Sequence, residues 1–420
     1  MKLTFIYLFI PLFLLLLSCQ KSNKEISNVQ EIDCSFDESM TIKLSEITDS
    51  IEIVPLETKE ESFIGMACQI KTYNRKYYIG TGMPQINKIL VFNANGEYIT
   101  QLDKVGVGPD EYTEIKDFEI LNDSIIVIIT HADPRILMYN IYNKQCILNK
   151  RITAYPTNII SDKNSLYLLC KSLKLHNAPE AKEKATNPDM IQKYNLKGEF
   201  VGSLFPANEI IQNKINYITP SQSFYADKED LYFTYPWCDT IYSIQNKQAT
   251  PVFFLNYGKK RIPEQAFQNV ENIMDIMKRI RENEGVFLCY NYEVHADYVY
   301  VGFEDTEENN YLLLYNRKNK TVIKGCRLVD DLLCKGNVYK LKFAKNIHDG
   351  ILTWSIEMDE FKAFYEKLKS HPDKYNAFRI KYKQFKFRKN SNNVIKKAKE
   401  FDNSMIITIL MSPNKQYSTL

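Results

Sequence analysis

Val91-Phe92-Asn93-Ala94-Asn95-Gly96-Glu97 is the first of five related stretches in this 420-residue chain. The others are Met138 to Lys144, Lys193 to Glu199, Ile241 to Lys247 and Leu314 to Lys320. Each reads aromatic, Asn or Ser, two variable residues, Gly or Asn, then Glu or Lys. Apolar alternation flanks most copies. A tight hairpin turn needs positive φ, which Gly and Asn reach most cheaply. Five turns of one chemistry in one register predict repeated β-hairpins.

A second element precedes them, a polar turn followed by an alternating apolar run. Its copies are Tyr73 to Ile79, Asn122 to Ile128, Asp162 to Leu168, Asp227 to Phe233, His295 to Val301 and His348 to Trp354. The first five lead into the hairpin stretch; the sixth runs into an expected helix. Successive copies lie roughly 40 to 65 residues apart, the length of a four-stranded blade plus insertions. The expected fold is all-β, a six-bladed β-propeller with helical insertions and a C-terminal helical segment. Two apolar runs remain, Ile51 to Leu56 and Met405 to Leu410. At least one of them should complete the last blade, tie the termini together and remove an open edge.

The propeller is expected over residues 32–412. Lys171 to Met190 is polar, holds two prolines and reads as a long loop. Pro263 to Asn283 reads as a helix with Phe267, Val270, Met274 and Met277 on one face. Asp359 to Ser370 reads as a second helix, and Asn393 to Phe401 as a third. The stretch Phe378 to Lys389 interleaves bases with aromatics and reads as a half-buried strand.

Met1-Lys2 is a short basic start, and Leu3 to Leu17 is a nearly unbroken apolar run. That run is too short to span a membrane, which takes roughly 20 residues, so residues 1–18 read as a signal peptide. Leu16-Leu17-Ser18-Cys19 resembles the lipobox of bacterial lipoproteins, which implies a lipid anchor on Cys19. Residues 19–31 are polar and read as a flexible tether. The chain is expected in the cell envelope as an outer-membrane lipoprotein facing the periplasm. Loss of Lys2 with the leader takes the formal charge from +3 to +2, so no whole-protein field calls for an anionic partner and no nucleic acid is expected. The eight remaining cysteines form no C-x-x-C. Most read as buried apolar residues, and Cys326–Cys334 is the one local pairing worth checking.

Three stretches then carry a family resemblance. They are Leu44 to Thr58, Gly106-Val107-Gly108-Pro109-Asp110-Glu111-Tyr112 with Asp117-Phe118 soon after, and Asp402-Asn403-Ser404. With the repeats, they make the chain similar to six-bladed β-propeller lipoproteins of Bacteroidetes over about residues 40 to 412. That family usually has Gly at the place of Asp110 and Pro at the place of Ser404. The resemblance implies architecture and envelope location and no activity.

Candidate site residues lie in loops between expected strands. Glu111 and Tyr112 either lock the glycine loop or face the channel. His131, Asp133 and Arg135 share one turn. No histidine pair has zinc-motif spacing, and no nucleophile elbow is present. The leading reading is a lipid-anchored binding or scaffolding module for a glycan, a peptide or a partner protein. The alternative is a propeller-type hydrolase, lactonase or carbohydrate-active enzyme. It would use Glu111, Asp117, Asp133, Asp297 and Glu304 converging on the axis, with calcium the one cofactor left open.

Overall fold

A computed structural model describes residues 29–411 except 58, 65–66, 83–84, 172–188, 207, 209, 212–213, 215–222, 228–229, 246–247, 284, 332–336, 341–345, 349–350, 357–365 and 382–404. Cys19, His176, Cys334, the helix expected at 393–401 and the Asp402 to Ser404 stretch lie outside the described residues.

The first sheet runs Ala67–Tyr73, Lys76–Thr81, Lys88–Phe92, Tyr98–Leu102. The second runs Asp117–Ile120, Ile125–Thr130, Arg135–Asn140, Cys146–Arg151. The third runs Tyr155–Ser161, Ser165–Lys171, Asp189–Asn195, Phe200–Pro206. The fifth runs Val286–Val294, Tyr298–Asp305, Asn310–Asn316, Val322–Gly325. Each is a four-stranded antiparallel meander. The closing sheet has the order Asn346–His348, Ile351–Ile356, Met405–Met411, Thr48–Pro55, so both leftover runs enter it.

The fourth sheet departs from the expected form. Phe224–Asp227, Asp230–Phe233, Thr240–Gln245 and Gln248–Asn256 meander as elsewhere, and Gln30–Asp33 adds a fifth strand, parallel to the last. A small three-stranded sheet also forms from Thr41–Lys43, Arg327–Asp330 and Asn337–Lys340. The fold is an all-β propeller with five four-stranded blades, so the six uniform blades expected from the repeats are not found. Hairpin counting registers local pairs and misses a strand delivered from a distant part of the chain.

The core lies between sheets, because every blade is covered on both faces. Ile126 and Ile128 pack toward the first sheet, while Val127 and Ile129 pack toward the third. Successive side chains on a strand point to opposite faces, so a strand buried on both reads as an unbroken apolar run. The same rule divides Leu166, Leu168 and Cys170 from Tyr167 and Leu169.

The helices differ from expectation in detail. The single helix expected over 263–283 is a 3-10 turn, Glu264–Phe267, and a separate α-helix, Ile273–Glu282. Asn272 caps the latter by accepting from the backbone of Met274 and Asp275, which starts a new helix there. Ile276 and Ile280 are its buried residues and Met274 is exposed, so the apolar stripe lies one step from the expected one. Pro372–Lys381 is helical, so Phe378 to Lys381 is not the start of a strand. Cys326 is a free thiol. It donates to the Glu38 carbonyl at 3.2 Å, so the Cys326–Cys334 pairing is not formed.

Candidate functional site

In a four-stranded meander, the turn between the second and third strands and the exit to the next sheet lie at the same end. That end carries the Gly106 to Tyr112 connection, the His131 to Arg135 turn and the Asp305 to Asn309 turn. Gln30–Asp33 runs parallel to Gln248–Asn256, so it delivers Phe36 to Ser39 to the same end.

Four of the five predicted site residues, Glu111, Tyr112, Asp133 and Arg135, are tied together here, largely as structure. Glu111 folds its carboxylate back over its own loop and accepts from Gly108 N at 2.8 Å. A Cβ at Gly106 would collide with Glu111 Oε2, and one at Gly108 would crowd it. The two glycines are therefore room for that carboxylate. Tyr112 is fully buried, and its hydroxyl donates to the Asn87 carbonyl at 3.1 Å while accepting from Lys104 N at 3.2 Å. Burial pushes its phenol well above the usual range. Arg135 donates from Nη2 to the Glu111 carbonyl at 3.0 Å and pairs with Asp133 at 2.9 Å. Tyr139 donates its hydroxyl to the Asp110 carbonyl at 3.1 Å, and Asn149 donates to the Pro109 carbonyl. Second-sheet side chains thus clamp the loop.

His131 belongs to a different set of contacts. Its backbone N–H and that of Ala132 donate to Oε1 of the buried Glu114 at 2.8 and 2.7 Å. Its ring packs edge-on against Tyr155, with Nδ1 3.3 Å from the Pro156 carbonyl. Burial, with Lys116 and Lys171 nearby, holds its imidazole below the usual range.

The expected convergence of five carboxylates on the axis is not found. Asp297 lies in the turn between the first two strands of the fifth sheet, at the end opposite Asp133. Asp117 and Glu119 share one inner strand and are bridged by Lys71, whose Nζ is 3.5 and 3.0 Å away. Asp117 also accepts from Gln69 Nε2 and from Ile159 N, both at 2.9 Å, which laces the first three sheets together. Burial pulls the Lys71 ammonium down, but the two carboxylates outweigh it and its pKa is raised. Across the ring, buried Glu293 accepts from the Tyr225 and Tyr298 hydroxyls at 2.8 and 2.9 Å. Among the described residues, no group of three or more His, Cys, Asp or Glu side chains is placed to hold a metal ion.

A cleft of about 540 Å³ opens at the same end as the His131 to Arg135 turn, between the N-terminal segment and the fifth sheet. Phe36 and Tyr311 form its apolar wall, with ring centroids 4.3 Å apart, and Phe303 stacks behind Tyr311 at 5.2 Å. Asp305 shapes one rim, accepting from Glu307 N, Asn309 N and the Tyr311 hydroxyl at 2.9, 2.9 and 3.1 Å. Glu38 reaches in from the other rim, and Glu307 beside it raises its carboxyl pKa. Lys260 and Arg327 supply positive charge on the same walls. The sequence held no sign of this cleft, since Phe36 and Asp305 are brought together only by the parallel strand Gln30–Asp33.

Residues 27–408 match the family described as domain of unknown function (DUF4934). The chain belongs to that family. Its fold is similar to the crystal structure of a Bacteroides fragilis protein inferred to be exported, with a TM-score of 0.63 and 14% identity over 92% of this chain and 99% of that one. That likeness shows the propeller-like fold alone. Weaker likenesses are to BamB from Moraxella catarrhalis, at TM-score 0.38 and 8% identity over 64% and 78% of the two chains. Another is to the extracellular domain of a hybrid two-component system from B. thetaiotaomicron, at TM-score 0.33 and 11% identity over 65% and 29%. No curated protein matches the chain.

Proposed function

We propose that this DUF4934 protein is an exported binding module and that its ligand is an oligosaccharide held in the Phe36–Tyr311 cleft. The observation that carries the reading is the composition of the cleft. An aromatic wall suits the apolar face of a sugar ring, and carboxylates and cations on facing rims suit its hydroxyls. Titration calorimetry against envelope and dietary glycans tests it. Binding should be lost on Phe36→Ala and reduced on Glu307→Gln. Glu307→Gln should keep the melting temperature of the free protein, whereas Phe36→Ala, which also removes packing against Phe303 and Tyr311, should lower it. Binding that survives Phe36→Ala, or a ligand set made of peptides alone, overturns the assignment.

The same reading makes Cys19 the lipid anchor and the outer membrane the site of residence, facing the periplasm. The Leu16 to Cys19 motif supports it, as does the fold shared with a Bacteroides protein inferred to be exported. Cys19→Ser should move the protein from the membrane fraction to the soluble fraction. It also makes the five-stranded sheet a sixth blade of one ring. Its first four strands meander as the others do, and Phe224–Asp227 touches Tyr155–Ser161 on one side and Val286–Val294 on the other.

A further inference from the structure

We propose that Lys116 and Lys171 form an oxyanion-binding site, with His131 at its edge, between the second and third sheets. Lys116 immediately precedes the first strand of the second sheet, and its backbone N–H donates to the Ile129 carbonyl at 2.8 Å. Lys171 ends the second strand of the third sheet, where it is paired with Tyr155. The His131 ring lies against Tyr155 and the Pro156 carbonyl, so the fold places these three basic residues at one corner of the end that carries the His131 to Arg135 turn.

Among the described residues their charges are uncompensated. Both lysines are half-buried. Among the described residues, neither lysine has an ion pair. Glu114, which lies beside His131, is buried, and its Oε1 already receives two backbone N–H groups. Burial and the neighbouring Lys116 pull the Lys171 ammonium down to about 8. Two like charges brought to one half-buried corner repel each other and are incompletely solvated, which costs folding free energy. A phosphate or carboxylate between them removes both costs and gains charge-assisted hydrogen bonds. By contrast, Lys71 has its two carboxylates already in place, so it offers no such site.

The test is thermal unfolding of the protein from residue 29 at pH 7 and constant ionic strength, with chloride replaced by inorganic phosphate or by sodium glucuronate. The expected result is a rise in melting temperature of several degrees with at least one anion, abolished by Lys116→Gln and by Lys171→Gln but kept in Lys318→Gln. A response to phosphate alone identifies a phosphoryl ligand, and a response to glucuronate alone identifies an acidic sugar. No rise with either anion, or a rise that both variants keep, overturns the site. Should Lys171→Gln fail to fold, Lys116→Gln decides the outcome alone.

Discussion

At the scale of the residue, the repeated hairpin stretch works through its asparagine. Asn93 Oδ1 accepts from Asn95 N and Glu97 N at 2.9 and 3.0 Å, and Asn195 Oδ1 accepts from Lys197 N and Glu199 N at the same distances. The Glu that follows each Gly is explained as well, since Asn93 and Asn195 each donate their amide to it at 2.7 Å. Gly96 and Gly198 take positive φ as expected, but in the two Asn copies whose turns are described the left-handed residue is Lys144 or Lys320, one place later. Asn93→Ala should therefore cost about 1 kcal/mol in urea unfolding. Gly96→Ala should cost about 1–2 kcal/mol, the left-handed penalty of an L-residue, whereas Lys144→Gly should leave stability unchanged or raise it. The Gly106 loop makes a second prediction. Gly106→Ala should destabilise, and Glu111→Ala in the same chain should recover most of the loss, because the clash is with that carboxylate. Additive losses in the double-mutant cycle would show that the loop is held some other way.

At the scale of the element, position in the sheet decides what a substitution does. Met405–Met411 is an inner strand of the closing sheet, where Ile407 pairs with Trp354 on one side and Ile53 on the other. Proline there removes a ladder bond and disrupts the joint between the chain ends, so Ile407→Pro should cost about 3 kcal/mol or more. Val201 sits at a register shift on the outer strand of the third sheet and is half exposed. Val201→Pro should lower the thermal midpoint far less, and equal losses at the two positions would contradict the topology. Hairpins were legible at this scale because the period and the turn chemistry are local. The break at Asn272 was misread, because an apolar stripe continues across it while the cap acts on only two backbone amides.

At the scale of the whole molecule, charge is handled differently around the ring. The inner strands of the first two sheets pair the half-buried Lys71, whereas the corner between the second and third sheets leaves Lys116 and Lys171 unpaired among the described residues. A lysine whose folded pKa is about 8 against 10.5 in the unfolded chain weakens the fold fully below pH 8. The penalty fades as pH rises from 8 toward 10.5. Without added anion, Lys171→Gln should therefore raise the melting temperature at pH 7 and lose that advantage near pH 10. A thermal scan across this range checks it, and an unchanged difference at both ends would assign the effect to packing.

Period-2 alternation and the turn residues determined the β-propeller class, the strand order within each blade and the meeting of the termini, because those signals act over a few residues. They also singled out Glu111 and Tyr112 in one loop and His131, Asp133 and Arg135 in one turn, without joining the two. Tertiary structure alone decided that these side chains clamp a loop, since the reach of Arg135 to the Glu111 carbonyl depends on how two sheets pack. It alone decided the fifth strand on the fourth sheet, the cleft between Phe36 and Asp305, and the unpaired lysines. Each of these needs residues far apart in the chain to arrive at one end of the ring, and no local period encodes that arrival.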